Sequence, residues 1–326
     1  MVQRRCVLRT LATLGAGVAP VAMSHPVPPP FPRRMLSLVV PFSPGGPTDV
    51  LARALAERFS ARMGQPTIVE NRAGAAGSIG ARAVATADPD GHTLLVSVDS
   101  SLAFAPLVRA DVALPDVTRT LQPVSSLATF SQMLVVPPDS RLTHLAEFMH
   151  AARQGMSYAS SGNGTPGHLA MEMLIGASGA RLAHIPYRGA MPALNDLLGG
   201  HVESGFLPTP AVLNHVRRGR LRALAVSGSR RSRGAPEVPT VAELGHPQAT
   251  TELSFLLLAP ADTPQRAVRR LSVESRHALS LPQVRERLQR VDMEPVWASP
   301  DDTVVRLRLQ MRRWAEVAAR VRKQAG

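Results

Sequence analysis

Cysteine, lysine and aromatic residues are scarce in this chain of 326 residues, and each scarcity removes a class of function. Cys6 is the only cysteine and sits at the amino end. Once a leader is removed, no disulfide, thiol nucleophile or cysteine-ligated metal remains available. Lys323 is the only lysine; a P-loop needs Gly-Lys-Ser/Thr, so that nucleotide site is excluded. Aromatic residues make up 4%, too few for a surface that stacks bases, although 37 Lys and Arg against 24 Asp and Glu leave a formal net charge of +13. No G-x-S-x-G elbow or H-E-x-x-H motif occurs and the 10 histidines are scattered, so no catalytic or metal-binding constellation stands out. Beyond the amino end, no apolar run reaches the roughly 20 residues a membrane span requires.

The chain is 44% hydrophobic and 19% charged, a globular composition, and its length suggests about two domains. Arg4, Arg5 and Arg9 precede an apolar stretch from Leu11 to Met23, and Ala22-Met23-Ser24 offers small residues before His25. Residues 1–24 are therefore expected to be an export signal. Arg4-Arg5-Cys6-Val7-Leu8 resembles the twin-arginine pattern, and both the Tat and the Sec route stay open. Cleavage removes three arginines and no acid, +13 − 3 = +10, which favours anionic ligands or surfaces. Pro26 to Pro32 reads as a linker.

Strand and helix patterns then alternate. Strands are predicted at Leu36 to Phe42, Thr67 to Glu70, Thr93 to Val98, Met156 to Ser160 and Leu182 to Tyr187, and Gly-rich turns lead from them into amphipathic helices. Thr48 or Asp49 is expected to cap the first helix, and Ser299-Pro300-Asp301-Asp302 opens a last one running to about Arg322. Repeated βα units predict an α/β fold with mainly parallel sheets. Gln132 to Val136 and Leu253 to Ala259 are apolar runs with proline stops and read as hinges between a discontinuous first domain and a second one.

Three loops lie between a strand and a helix. Pro41 to Asp49 and Ser160 to His168 carry glycines that permit close backbone approach, at helix starts with free N–H groups, which suits a carboxylate or phosphate as well as an ordinary βα turn. Gly162, Gly164 and Gly167 satisfy G-x-G-x-x-G, but no acid follows at the end of the next strand, where His184 to Arg188 stand. Arg188 leaves an NADP-dependent enzyme open as an alternative. Tyr187 to Pro192 forms the third loop. The arginines at Arg217 to Arg222 and Arg230 to Arg233 read as a solvated or docking face, not a nucleic-acid site.

Val40-Pro41-Phe42-Ser43-Pro44-Gly45-Gly46-Pro47-Thr48-Asp49, Val69 to Gly80, Pro89 to Leu95, Ser160 to Leu169, Pro186 to Gly189, Gly219 to Val226 and Val238 to Glu243 together resemble the Bug-type extracytoplasmic solute receptors of tripartite tricarboxylate transporters. The match is collinear over nearly the whole mature chain. The resemblance implies a two-lobed type II periplasmic-binding fold: lobe 1 from 35–130 and 256–326, lobe 2 from 131–255, joined by two crossover strands. It implies a periplasmic receptor that performs no chemistry, captures a small carboxylate and hands it to membrane permease subunits; a monomer without metal or cofactor is the default expectation. A sensor partner that presents the same ligand to a signalling receptor remains an alternative. Carried over by position, the grip falls on Phe42, Pro44, Gly46, Pro47, Thr48 and Asp49, on Ser160, Ser161, Gly162, Gly164, Thr165 and His168, on Tyr187, Gly189, Ala190 and Met191, and on Ser97 and Asp99 after the third strand. Glu203 stands where the family usually has an Asp and Phe206-Leu207 where it has Phe-Asp; the loss of that second acid points away from amino acids, and the aliphatic run Leu253 to Ala259 points to an apolar cleft wall.

Overall fold

Alternate strand residues face opposite sides of a sheet, and here both sides are apolar and helix-covered. The computed structural model describes residues 31–102, 117–176, 180 and 182–325. The expected export signal, residues 1–24, and the linker up to residue 30 lie outside the described residues. From β1 (Leu36–Val40) the chain passes through α1 (Pro47–Met63), β2 (Thr67–Asn71), α2 (Ser78–Ala85), β3 (Thr93–Val98) and β4 (Leu121–Phe130). Ser131 alone separates β4 from β5 (Gln132–Val136). Then follow α3 (Leu145–Gln154), β6 (Met156–Ser160), α4 (Pro166–Ile175), β7 (Leu182–Pro186), α5 (Ala190–Leu198), β8 (Gly205–Pro208), α6 (Thr209–Arg217) and β9 (Arg222–Val226). A connection through residues 227–252 leads to β10 (Leu253–Pro260), α7 (Gln265–Ser280), α8 (Pro282–Gln289), β11 (Glu294–Ala298) and α9 (Pro300–Ala325).

The strands form a six-stranded sheet, β11-β4-β10-β3-β1-β2, and a five-stranded one, β7-β6-β8-β5-β9. In the first, β1, β2, β3 and β4 run one way and β10 and β11 the other. In the second, β5 alone opposes the rest. In each sheet most strands thus run the same way, four of six and four of five, as repeated βα units require. The two runs read as hinges flank the passages between the sheets: β5 starts after Ser131, and β10 follows the 227–252 connection.

Period two sorts the core. Leu38, Val40, Leu94, Val96 and Phe255 pack under Leu51, Leu55 and Phe59 of α1 and Val268 and Leu271 of α7. Val39, Leu95, Leu256 and Leu258 face Ala81, Val84 and Leu307 on the other side. The second sheet repeats the scheme, with Leu134, Tyr158 and Phe206 against α3 and α4 and Met133, Ala159 and Leu207 against α5 and α6. Each fully buried Leu or Phe contributes about 2–3 kcal/mol, so both sandwiches are held chiefly by these faces.

Local signals set the ends of α1. Pro47 opens it, since a proline at N1 surrenders an N–H that the helix does not use, and Gly64 closes it at φ 70°, where glycine avoids a Cβ clash. Here the structure corrects the expected cap: the N-cap is Gly46, without a side-chain bond, and Thr48 and Asp49 already lie inside the helix.

Candidate functional site

Three helix starts converge between the sheets. The first-turn N–H groups of a helix have no intrahelical acceptor, and its dipole places partial positive charge there. At α1, α4 and α5 the N-cap residues Gly46, Thr165 and Gly189 supply no side-chain cap bond, so these ends are left open. Phe42, Ser43, Gly46, Pro47, Thr48, Val98, Phe130 and Phe255 of the first sheet's side and Ser161, Thr165, Pro166, Ala190 and Pro208 of the second enclose a cavity of about 30 Å³. An outer vestibule of about 300 Å³ is shared by Pro41, Phe42 and Gly74 to Gly77 with Ser161, Gly162, Asn163 and Pro186 to Arg188. Across the cleft Gly189 comes close to the first loop: a Cβ on it would collide with the Ser43 hydroxyl. That hydroxyl oxygen is buried and has no hydrogen-bond partner in the protein.

The first loop is pinned from below by Asp49. Its carboxylate accepts from Gly45 N–H at 3.0 Å, Arg53 Nε at 2.8 Å and Asn71 Nδ2 at 2.9 Å. Burial raises its pKa, but these three donors outweigh burial and leave it below the ordinary value. Asn71 Nδ2 also donates to Phe42 O at 3.2 Å, tying β2 to the loop. Asp49 thus organises the loop with its own oxygens occupied.

The second loop is pinned by a buried polar stack. Gly162 N–H donates to Ser160 Oγ at 3.1 Å, Thr165 Oγ1 donates to Gly162 O at 2.7 Å, and Gly164 N–H donates to His168 Nδ1 at 3.1 Å. His168 stacks on His184 with centroids 4.3 Å apart, and His184 stacks on Tyr158 at 4.7 Å. His184 Nε2 lies 2.7 Å from Ser160 Oγ, and Tyr158 Oη donates to Glu172 Oε1 at 3.2 Å. Burial pushes His168 down to about 4; burial, with the neighbouring His168, pushes His184 down to about 3. Both rings are therefore neutral at pH 7, and His168 keeps Nδ1 free to accept. Gly162 sits at φ 135° with Tyr187 O 3.0 Å from where a Cβ would stand, a position only glycine fills without strain.

The structure distributes the expected site residues over three places. Phe42, Gly46, Pro47, Thr48, Ser161, Thr165 and Ala190 line the cavity, and Gly162 and Tyr187 line the vestibule. Tyr187 Oη donates to Asp196 at 2.6 Å, and Gly189 meets Ser43 across the cleft. Asp49, Ser160, Gly164 and His168 act behind the loops. Pro44 is exposed, and Met191 packs into the second sheet's core. Ser97 and Asp99 are not brought to the cleft. Val98 takes the cleft side, and the alternation sends Asp99 into a separate cavity against Arg306, Gln310 and Arg313 of α9. There burial pushes its carboxyl up to about 7, against N–H donors from Ser100 at 2.6 Å and Ser254 at 3.2 Å. Phe130, Phe255, Val98 and Pro208 line the cavity although no loop motif marks them. Phe255 lies in the apolar run from Leu253 and Val98 between the expected Ser97 and Asp99, whereas nothing in the sequence marks Phe130 or Pro208.

Helix starts facing one another across two α/β lobes are the arrangement of the two-lobed periplasmic-binding fold. Over residues 51–322 the chain matches the tripartite tricarboxylate transporter family receptor, and it belongs to that family. It is 38% identical over 317 residues to protein BugT of Bordetella pertussis, covering 95% of this chain and 96% of that protein. The periplasmic binding protein BugD superposes with a TM-score of 0.85 at 30% identity, over 89% of this chain and 98% of that one. A protein of R. palustris solved with adipate also gives 0.85, at 32% identity over 90% and 98%. No helix among the described residues is long and apolar enough to cross a membrane.

Proposed function

We propose that the protein is exported to the periplasm, captures a small carboxylate between its lobes and delivers it to the membrane subunits of a tripartite tricarboxylate-type transporter, without chemistry. The observation that carries this reading is the convergence of three uncapped helix starts from both sheets on one cavity that holds no ionised side chain. Aligned peptide N–H groups are sufficient to hold an anion. The head group would rest on first-turn N–H groups of α1, α4 and α5 with the Ser43 hydroxyl, and closing the lobes would complete the grip. Adipate in a related structure fits this chemistry.

A thermal-shift series on the chain from His25 tests it, using mono-, di- and tricarboxylates and NADP(H). At about 100 times its dissociation constant a ligand stabilises the folded state by about 2.7 kcal/mol, a readily measured rise in melting temperature. A rise with a carboxylate and none with NADP(H) is expected. A rise with NADP(H) alone would sink the receptor reading.

A further inference from the structure

The inner cavity is too small for a whole ligand. Its volume of about 30 Å³ is on the order of one or two water molecules, room for a head group alone. The vestibule offers about 300 Å³, the lower end of the range of small-molecule sites, and it shares Phe42 and Ser161 with the cavity. Its two walls differ. From the first lobe come Gly74 to Gly77, small residues whose main chain turns tightly, with Ala75 and Ala76 at φ 46° and 54°. From the second come Asn163 and Pro186 to Arg188, and Arg188 is the single ionised side chain among the described residues that line either space. It is exposed, and no hydrogen bond or ion pair joins its guanidinium to another described residue. The main chain on either side of it is fixed: Tyr187 Oη donates to Asp196 at 2.6 Å, and Gly189 lies close against Ser43. The sequence holds Arg188 open for a 2′-phosphate; in the structure it stands over the space that carboxylate capture alone leaves without a role.

We propose that Arg188 is a specificity-determining residue: it receives a second anionic group of the ligand in the vestibule while the first carboxylate rests on the helix starts. This rests on the carboxylate-capture reading and adds the residue that chooses among carboxylates. Peptide N–H groups at the helix starts hold an anionic head whatever the rest of the molecule carries. Discrimination therefore needs a group that meets the far end. A guanidinium matches a carboxylate with two parallel hydrogen bonds, and between two lobes that pair is screened by less water than one on an open surface. A monocarboxylate of the same length leaves Arg188 hydrated and gains nothing from it. Arg188 thus sorts ligands by the charge at their far end without being needed to hold the head.

Calorimetric titration at one pH and ionic strength with length-matched pairs decides: succinate with butanoate, glutarate with pentanoate and adipate with hexanoate, the monoacids read directly or by displacement of a bound diacid. Wild type, Arg188→Gln and Arg188→Lys are compared, and the exposed position lets all three fold, as their unliganded melts would confirm. Wild type is expected to bind at least one diacid more tightly than its monoacid partner. Arg188→Gln should shrink that ratio by about tenfold or more through the diacid alone, with the monoacid within about twofold of wild type. Arg188→Lys keeps the charge without the fork and should fall between the two. An unchanged ratio in Arg188→Gln overturns the proposal, and so does equal weakening of both acids, which would mark a general attraction of anions instead of a seat. Wild type binding every monoacid as tightly as its diacid also overturns it and leaves the capture reading standing; no binding by any carboxylate overturns both.

Discussion

Protonating His168 would take away the acceptor that holds Gly164 N–H, and with it one anchor of the second loop. The ring's pKa lies near 4 in the folded protein against an ordinary 6.5. Folding stability carried by the neutral ring is thus complete above pH 6.5 and lost as pH falls from 6.5 toward 4, on the order of 3 kcal/mol in all. His184, near 3, adds to the loss in the same direction. Asp99 runs oppositely: its carboxyl is raised from 3.8 to about 7, so its contribution is complete below pH 3.8 and is lost as pH rises through 7. His168→Asn keeps an acceptor near the Nδ1 position and does not titrate. Its melting temperature should fall less than the wild type's between pH 6.5 and 4.5, with ligand affinity at pH 7.5 retained within about threefold, whereas His168→Leu should lose at least about tenfold. A wild-type melting curve parallel to that of His168→Asn would show that this ring does not govern the acid side. The loops themselves are legible in the sequence, because glycine after a strand and proline at a helix start have one physical reading. The role of Asp49 is less so: as a cap and as an anchor it occupies the same position, and only Arg53 one turn on in α1 and Asn71 of β2 decide between them.

Most strands and helices follow from periodicity and punctuation alone; β3, β5 and β6 begin and end at the expected residues. Local patterns do not reveal which strands become neighbours. Ser97 and Asp99 look like cleft residues when β3 is viewed singly, and the pleat that turns them toward α9 is fixed only by β1 and β10 on either side. Ties between helices are equally hidden. Glu274 of α7 is 1% exposed and meets Arg62 of α1 at 2.6 Å and Arg270 at 3.2 Å, both arginines being nearly half exposed. Removing the outer partner leaves a carboxylate buried with weaker compensation, while removing the carboxylate leaves guanidinium groups that water can solvate. Chemical denaturation should therefore show Arg62→Met to be more destabilising than Glu274→Gln. The reverse order would mean that the pair contributes by packing instead of by charge.

At the scale of the whole molecule, the two-lobed arrangement is visible in the sequence as two hinge-like runs, but the close approach of the two loops across the cleft is not. Gly189 and Ser43 are far apart in the chain, and no motif relates them. Gly189→Ala places a methyl group against the Ser43 hydroxyl and should hold the lobes apart, weakening carboxylate binding by about tenfold or more and abolishing the ligand-induced contraction in small-angle scattering. Ser43→Gly removes the hydroxyl but not the strain of alanine at φ 131°, so adding it should restore the contraction only in part, and without full affinity because the hydroxyl is part of the proposed grip. Contraction in Gly189→Ala equal to that of the wild type would remove this contact from the account of closure.

The place of β10 bears on the order in which the chain becomes structured. It lies between β3 and β4, yet it is made only after every strand of the five-stranded sheet. As the chain emerges from the ribosome, the inserted sheet is complete in sequence first, while β3 and β4 wait with unpaired, apolar edges. Those edges are the surfaces a chaperone would have to shield until Leu253 to Pro260 arrive.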